Sequence, residues 1–160
     1  MGKFAKTVQN HLCDSLAEYY PTGSWNPEFS INGTPVDIGG REANRLYLIE
    51  LEWRRADPAD NAAKIFRHLQ ADHVEAEQVI FFQVFTDYYE LSRGGVSSKR
   101  KNAEFVGEVA AQTFEKLSYF SVDFDMDPPK RGEKWPDTWK EAADETATTI
   151  CNEIDLKNTR

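Results

Sequence analysis

Four segments of the chain repeat apolar residues at helical spacing. The first covers about residues 3–20, where Phe4, Val8, Leu12, Leu16 and Tyr19 fall on one face. The second begins at residue 58, and the last two cover about residues 102–117 and 137–154. This pattern predicts four amphipathic helices.

The second, third and fourth helices show apolar stripes of the same kind. In the second helix Asp57 suits the N-cap and Pro58 the first helical position, while Lys64 and Arg67 are predicted to face away from the stripe. The residues predicted to be buried in these three helices are Ala62, Ile65, Phe66 and Leu69, then Val106, Val109, Ala110, Phe114 and Leu117, then Trp139, Ala143, Ala147, Ile150 and Ile154.

Shorter apolar runs predict five strands. They cover residues 29–31, 35–38, 46–53, 79–85 and 119–124. The dipeptide Asn32-Gly33 separates the first two and is typical of a tight hairpin turn. The resulting order is helix, three strands, helix, strand, helix, strand, helix. We therefore expect an α/β fold, and a chain of 160 residues suits a single domain over residues 1–160.

Two carboxylates occupy alternate positions of the third predicted strand. Glu50 and Glu52 share a face with Leu46 and Leu48, so both carboxylates stand where apolar side chains are expected. Burial and mutual repulsion disfavour that arrangement, and a bound divalent cation would relieve both because hard cations prefer oxygen ligands. Asp37, on the preceding strand, offers a third carboxylate. The alternative is an exposed strand end at which the carboxylates are merely solvated.

The charge balance restricts the ways in which the chain could bind nucleic acid. It carries 27 acidic and 19 basic residues, a net charge of -8, which argues against coating nucleic acid with the whole surface but leaves room for a local basic surface. Residues 91–101 are predicted to form a polar loop that is the best candidate for this contact. A mobile, solvated loop is the alternative. The basic residues of the segment over residues 91–101 are Arg93, Lys99, Arg100 and Lys101.

Other features of the sequence bear on the cellular compartment. The chain has no apolar run of about 18 residues, and residues 1–7 lack the apolar stretch of a signal peptide. Cys13 and Cys151 are the only cysteines, and two isolated cysteines indicate buried thiols in a reducing compartment, with a disulfide as the alternative. We expect a cytoplasmic protein that does not bind membranes.

Two short segments resemble the PD-(D/E)XK motif of restriction-endonuclease-like nucleases. They are Pro35-Val36-Asp37 and, after a spacer, Ile49-Glu50-Leu51-Glu52-Trp53. The family core is a central mixed β-sheet flanked by helices, and the order of elements here is similar over about residues 7–124. The sequence departs from the family motif at two positions. Val36 separates the proline from the aspartate, and Glu52 stands where the motif has lysine. Some type II restriction endonucleases are similar in carrying Glu or Gln there.

The resemblance implies a metal-dependent DNA endonuclease that hydrolyses phosphodiester bonds. Asp37 and Glu50 would hold Mg²⁺ or Mn²⁺, together with the carbonyl of Leu51. Glu18 would supplement the metal site, as a first-helix acid sometimes does in this superfamily, or would be an ordinary surface residue. Glu52 would bind the metal or orient the attacking water.

Several points stay open at the level of the sequence. Lys64 and Arg67 could contact phosphate, and a displaced Lys64 could replace the motif lysine. Cleavage of both DNA strands would require a homodimer, because one chain offers one site. The alternatives are a catalytically inactive nuclease-fold module for interaction or regulation, and an unrelated α/β binding domain. The nuclease readings require that Asp37, Glu50 and Glu52 converge in one cleft.

Overall fold

A five-stranded mixed sheet lies at the centre of the structure, a computed structural model that describes residues 2–159. The strands are β1 (Ser24–Ile31), β2 (Thr34–Glu42), β3 (Arg45–Glu52), β4 (Gln78–Thr86) and β5 (Leu117–Phe124). They lie side by side in sequence order. The β1–β2 and β2–β3 pairs are antiparallel, whereas β3–β4 and β4–β5 are parallel. The hairpin predicted at Asn32-Gly33 joins β1 to β2.

Four α-helices cover the two faces of this sheet. They are α1 (Lys3–Tyr19), α2 (Ala59–Gln70), α3 (Ser98–Thr113) and α4 (Trp139–Asn158). Helices α1 and α4 pack on one face, and α2 and α3 pack on the other. The order of elements is the predicted one, and the predicted α/β class with a central mixed sheet flanked by helices is confirmed.

The sheet separates two apolar cores, and β3 contributes to both. Tyr47, Ile49 and Leu51 pack against α1 and α4, whereas Leu46 and Leu48 pack against α2 and α3. The strand is therefore buried on both faces, as expected of a strand at the middle of a sheet covered by helices. Each large apolar side chain buried in this way stabilises the fold by roughly 1.5–3 kcal/mol. Any carboxylate on β3 consequently lies in a desolvated environment.

Helix α3 differs most from its prediction. It begins at Ser98 and ends at Thr113, so the predicted loop over residues 91–101 is wrong in its last part. Apart from Arg100, its buried residues are small, and at Gly107 the Tyr119 ring lies where a side chain would stand. Val109, predicted to be buried, is 42% exposed.

Two other expectations concern α2 and the cysteines. Helix α2 begins at Ala59, with Pro58 as its N-cap residue, so the predicted start was one residue early. Cys13 and Cys151 are buried free thiols, and burial raises the pKa of each to about 11. Among residues 2–159, no helix is both long enough and apolar enough to cross a membrane.

Candidate active site

Strands β2 and β3 separate at the position of the two predicted carboxylates. Their last paired residues are Ile38 and Ile49, so Asp37 and Glu50 are the next positions beyond the ladder. In the gap, the backbone amide of Leu51 donates a hydrogen bond of 2.7 Å to Asp37 Oδ2. The Asp37 carboxyl thus takes the place of a backbone partner for β3, and it lies near enough to Glu50 for its negative charge to raise the pKa of that residue.

Helix α1 supports this arrangement from the other face of the sheet. The side chain of Gln9, which is 1% exposed, donates a hydrogen bond of 2.6 Å to the carbonyl of Asp37. Sequence reasoning missed Gln9, although a polar residue next to Val8 and Leu12 on the apolar side of α1 was a usable signal. Gln9 fixes the backbone of Asp37 and leaves its carboxylate free to face Glu50.

Glu50 is a buried carboxyl beside a second acid. The residue is 2% exposed, and burial, followed by the negative charge of Asp37, raises its pKa well above the ordinary value. The opposing influence comes from Lys64, whose Nζ lies 2.5 Å from Glu50 Oε1. Apart from this ion pair, Oε1 has no hydrogen-bond partner among residues 2–159.

Lys64 does not face away from the sheet, and that prediction was wrong. Its side chain is 20% exposed and reaches back from α2, where Nζ also donates a hydrogen bond of 2.8 Å to the carbonyl of Pro35. The ammonium is therefore fixed between the start of β2 and the carboxyl group of Glu50. Because β2, β3 and α2 each contribute one group, Asp37, Glu50 and Lys64 form a compact set of two acids and a base.

Glu52 does not join this set. It is completely buried, and both of its carboxylate oxygens accept hydrogen bonds from the amide of Asn61, at 2.9 and 3.1 Å. Gln83 donates a further bond of 2.7 Å to Oε1. Burial raises the pKa of Glu52 to about 6, and these amide donors oppose the shift. Within the part of the chain that the structure describes, no group of three or more His, Cys, Asp or Glu residues is arranged to hold a metal ion.

The expected convergence of three carboxylates is therefore only partly met. Asp37 and Glu50 come together, whereas Glu52 is held away in an amide network that continues to Tyr119, whose hydroxyl donates a hydrogen bond of 2.9 Å to Gln83. Asn61 and Gln83 were not predicted from the sequence. Gln83 was detectable as a polar residue inside the otherwise apolar strand β4.

Glu18 is not placed to supplement the site. It is exposed near the carboxyl end of α1. It lies nine residues beyond Gln9, the α1 residue that contacts Asp37, and nine residues of helix span about 13 Å. Leu51 contributes its backbone amide, as described above, and the metal-binding role of its carbonyl stays a prediction.

The predicted basic contacts fall into two classes. Arg67, Arg93, Lys99 and Lys101 are exposed. Arg100 is different, because its side chain is buried in α3 and its guanidinium forms ion pairs with Glu104 at 2.8 Å and Asp123 at 2.7 Å. Arg100 is therefore engaged inside the protein, and we remove it from the predicted contact surface.

Comparison with models of known protein families and with curated proteins finds no match for the chain. The function is therefore inferred from the geometry of the site. That geometry is a buried pair of carboxyl groups with a lysine ammonium beside it, at a point where two strands separate.

Proposed function

We propose that the chain is a metal-dependent DNA endonuclease of the PD-(D/E)XK type. The observation that carries this proposal is the contact of 2.5 Å between Lys64 Nζ and Glu50 Oε1, beside Asp37. The motif requires an aspartate, a glutamate or second aspartate, and a lysine. Glu52 was expected to converge with Asp37 and Glu50 and does not do so. In its place Lys64 takes the third role, and the lysine then comes from α2 instead of β3.

The two carboxyl groups suit a hard divalent cation. Glu50 Oε1 is a buried oxygen whose partner among the described residues is the Lys64 ammonium, and the charge of Asp37 acts on the same carboxyl group. Two adjacent carboxylates in a desolvated place repel each other, and Mg²⁺ or Mn²⁺ binds such oxygens in preference to nitrogen or sulfur. We therefore assign the metal to Asp37 and Glu50. A bound metal would polarise the scissile phosphate and lower the pKa of an attacking water.

Lys64 supplies a fixed positive charge at the same place. The Pro35 carbonyl holds its ammonium, so the charge is positioned before any substrate binds. Positioned charge is effective where negative charge grows in a transition state, because little reorganisation is then required. We assign Lys64 to stabilise the negative charge on the phosphate undergoing cleavage. Glu52 has a positioning role in this scheme, since Asn61 and Gln83 occupy its oxygens.

Contacts to the DNA backbone would come from exposed cations around the site. Lys99 and Lys101 on the first turn of α3, Arg93 before it and Arg67 on α2 are exposed. Their contacts to phosphate would position the DNA without reading its sequence. Cleavage of both strands requires two sites, so we propose a homodimer. The proposed compartment is the cytoplasm, where the two buried thiols remain reduced.

A catalytically inactive module on the same fold is the second candidate. It is favoured by the burial of Glu52 and by the pairing of two carboxylates where three were expected. In that case Lys64 would serve as a permanent internal counterion for Glu50.

A cleavage assay separates the two candidates. Plasmid, single-stranded DNA and RNA are incubated with the protein in Mg²⁺ or Mn²⁺, with EDTA as the control. An active nuclease cleaves at least one substrate only when metal is present. The inactive module cleaves none.

A further inference from the structure

A groove of about 560 Å³ lies at the end of β3, on the side of the sheet that α1 and α4 cover. Its walls come from the first residues of α1, from the residue that follows β3 and from the segment over residues 129–135. Trp53, three residues after Glu50, lines it. Side chains three residues apart on a strand point to opposite faces, so Trp53 lies on the α1 side of the sheet and Glu50 on the α2 side.

Two tryptophan rings face this groove. Trp53 and Trp135 are both partly exposed, and the buried ring of Phe4 lies between them, with centroid distances of 5.6 and 4.6 Å. Trp139 supports Phe4 from behind, at 6.0 Å. Phe4 therefore packs against both indole rings, Phe124 also packs against Trp53 at 5.6 Å, and each indole keeps part of its surface exposed. Aromatic rings held in this way provide surfaces on which nucleic-acid bases stack, and the stacking tolerates any base sequence.

The groove is also positively charged, although the chain as a whole is acidic. Lys3, Lys130 and Arg131 line it and are exposed. Within residues 2–159 none of the three forms an ion pair. Glu133 is the acid in the lining, and its Oε2 accepts a hydrogen bond of 3.0 Å from the backbone amide of Lys130. Three cations beside two partly exposed indole rings complement a ligand with both negative charge and flat aromatic groups.

We propose that this groove binds unpaired nucleotides of the nucleic-acid substrate, with bases on Trp53 and Trp135 and phosphates on Lys3, Lys130 and Arg131. The inference rests on the proposed nuclease function, because it takes the nucleic acid as the ligand. Duplex DNA keeps its bases stacked inside the helix, so only a single strand offers free base faces to the indole rings. The groove thus assigns the enzyme a substrate with a single-stranded segment, bound on the side of the sheet opposite to Glu50 and Lys64.

The test is equilibrium binding of a labelled single-stranded oligonucleotide of about 12 nucleotides, in EDTA so that no cleavage occurs. Trp135→Leu keeps an apolar side chain against Phe4 but removes the flat ring, and Trp135→Phe restores a ring. We expect Trp135→Leu to weaken binding by about 5- to 150-fold, in line with the usual contribution of one stacked base, and Trp135→Phe to recover most of it. Both variants must show the wild-type circular dichroism spectrum and melting temperature.

The charges are tested separately. The double variant Lys130→Ala/Arg131→Ala should reduce the slope of log affinity against log salt by about 1.4, since each phosphate contact on a single strand contributes about 0.7. The matched control is Arg41→Ala/Lys157→Ala, which removes two exposed charges outside the groove lining and should leave the slope unchanged. An abasic oligonucleotide of equal length should respond to the charge variant but not to Trp135→Leu.

Failure of the groove and failure of the proposed function give different results. Wild-type affinity for the single strand in both Trp135→Leu and Lys130→Ala/Arg131→Ala would overturn the groove proposal, even if the enzyme cleaves duplex DNA in Mg²⁺. Equal affinity for a polyglutamate peptide of the same charge would overturn it as well. Groove-dependent binding by a wild-type protein that cleaves nothing would support the groove and count against the nuclease.

Discussion

Replacing Lys64 with methionine removes the positive charge from the candidate site and leaves a side chain of similar length. Glu50 then loses its counterion in a place where its side chain is 3% exposed. Removal of one partner from a buried ion pair usually costs about 3–5 kcal/mol of stability. Because the Lys64 side chain is 20% exposed, water screens part of the interaction. We therefore expect a loss of about 3 kcal/mol at pH 8, at the lower end of that range.

The loss should depend on pH in a defined direction. Burial and Asp37 already raise the pKa of Glu50, so the folded protein binds a proton there more tightly than the unfolded chain does. Stability therefore falls as pH rises above the ordinary pKa of a glutamate. Lys64→Met removes the charge that opposes this shift, so it raises the pKa of Glu50 further. The difference in stability between variant and wild type should therefore be smaller at pH 5 than at pH 8.

The assay is urea unfolding followed by circular dichroism, in EDTA, at about pH 5 and pH 8. Arg67→Met is the matched control, because Arg67 is an exposed cation on the same helix, and it should change stability by less than about 0.5 kcal/mol. In a Glu50→Gln background, Lys64→Met should lose little stability, since no buried charge remains to be neutralised. Equal losses at both pH values, or an undiminished loss in the Glu50→Gln background, would refute the ion-pair explanation.

Two further predictions concern metal and DNA. Mg²⁺ or Mn²⁺ should raise the melting temperature of the wild type, with about 2.7 kcal/mol of stabilisation at a hundredfold excess over Kd. Glu50→Gln should abolish this effect. Glu18→Gln, on the exposed end of α1, should retain it. A shift that persists in Glu50→Gln would move the metal elsewhere. Lys99→Ala/Lys101→Ala should reduce the salt slope of duplex binding by about 1.8, whereas Arg100→Ala should destabilise the fold instead, because its ion pairs are internal. An unchanged slope in the double variant would exclude the first turn of α3 as the DNA contact.

The carboxylate pair could be predicted from sequence because strand geometry is simple. Alternation along β3 places Glu50 on a buried face regardless of the rest of the fold, and the β2–β3 hairpin, which turns at Ala43 and Asn44, brings Asp37 back toward it. The separation of the strands at Asp37 and the reorientation of Glu52 toward Asn61 depend on tertiary packing. The spacing of apolar residues within one segment cannot predict such contacts between segments.

The position of Lys64 could not be read from apolar residues alone. Asn61, Lys64 and His68 lie on one face of α2 at helical spacing, and Asn61 and His68 are buried polar residues. The apolar pattern of Ala62, Ile65 and Leu69 does not include this polar face, so it predicts that Lys64 is exposed to solvent. The length of the lysine side chain then allows its ammonium to reach Glu50 while the stem follows the helix surface.

Helix α3 shows the same limitation in another form. Its contact with the sheet uses Ala103, Gly107 and Ala110, because the ring of Tyr119 needs the space. A search for large apolar residues therefore favours Val109, which is exposed. The basic residues at the start of α3 resemble a loop in composition, although Lys and Arg are good helix formers.

The most direct test of the central claim is cleavage of supercoiled plasmid and single-stranded DNA by wild type, Asp37→Asn, Glu50→Gln and Lys64→Met in parallel, in millimolar Mg²⁺ or Mn²⁺. If Asp37 and Glu50 hold the metal and Lys64 replaces the motif lysine, the wild type cleaves only with metal, and all three folded variants lose cleavage. Glu18→Gln retains it. Wild-type cleavage rates in Glu50→Gln or Lys64→Met, or no cleavage by the wild type on either substrate in either metal, would contradict the proposed nuclease.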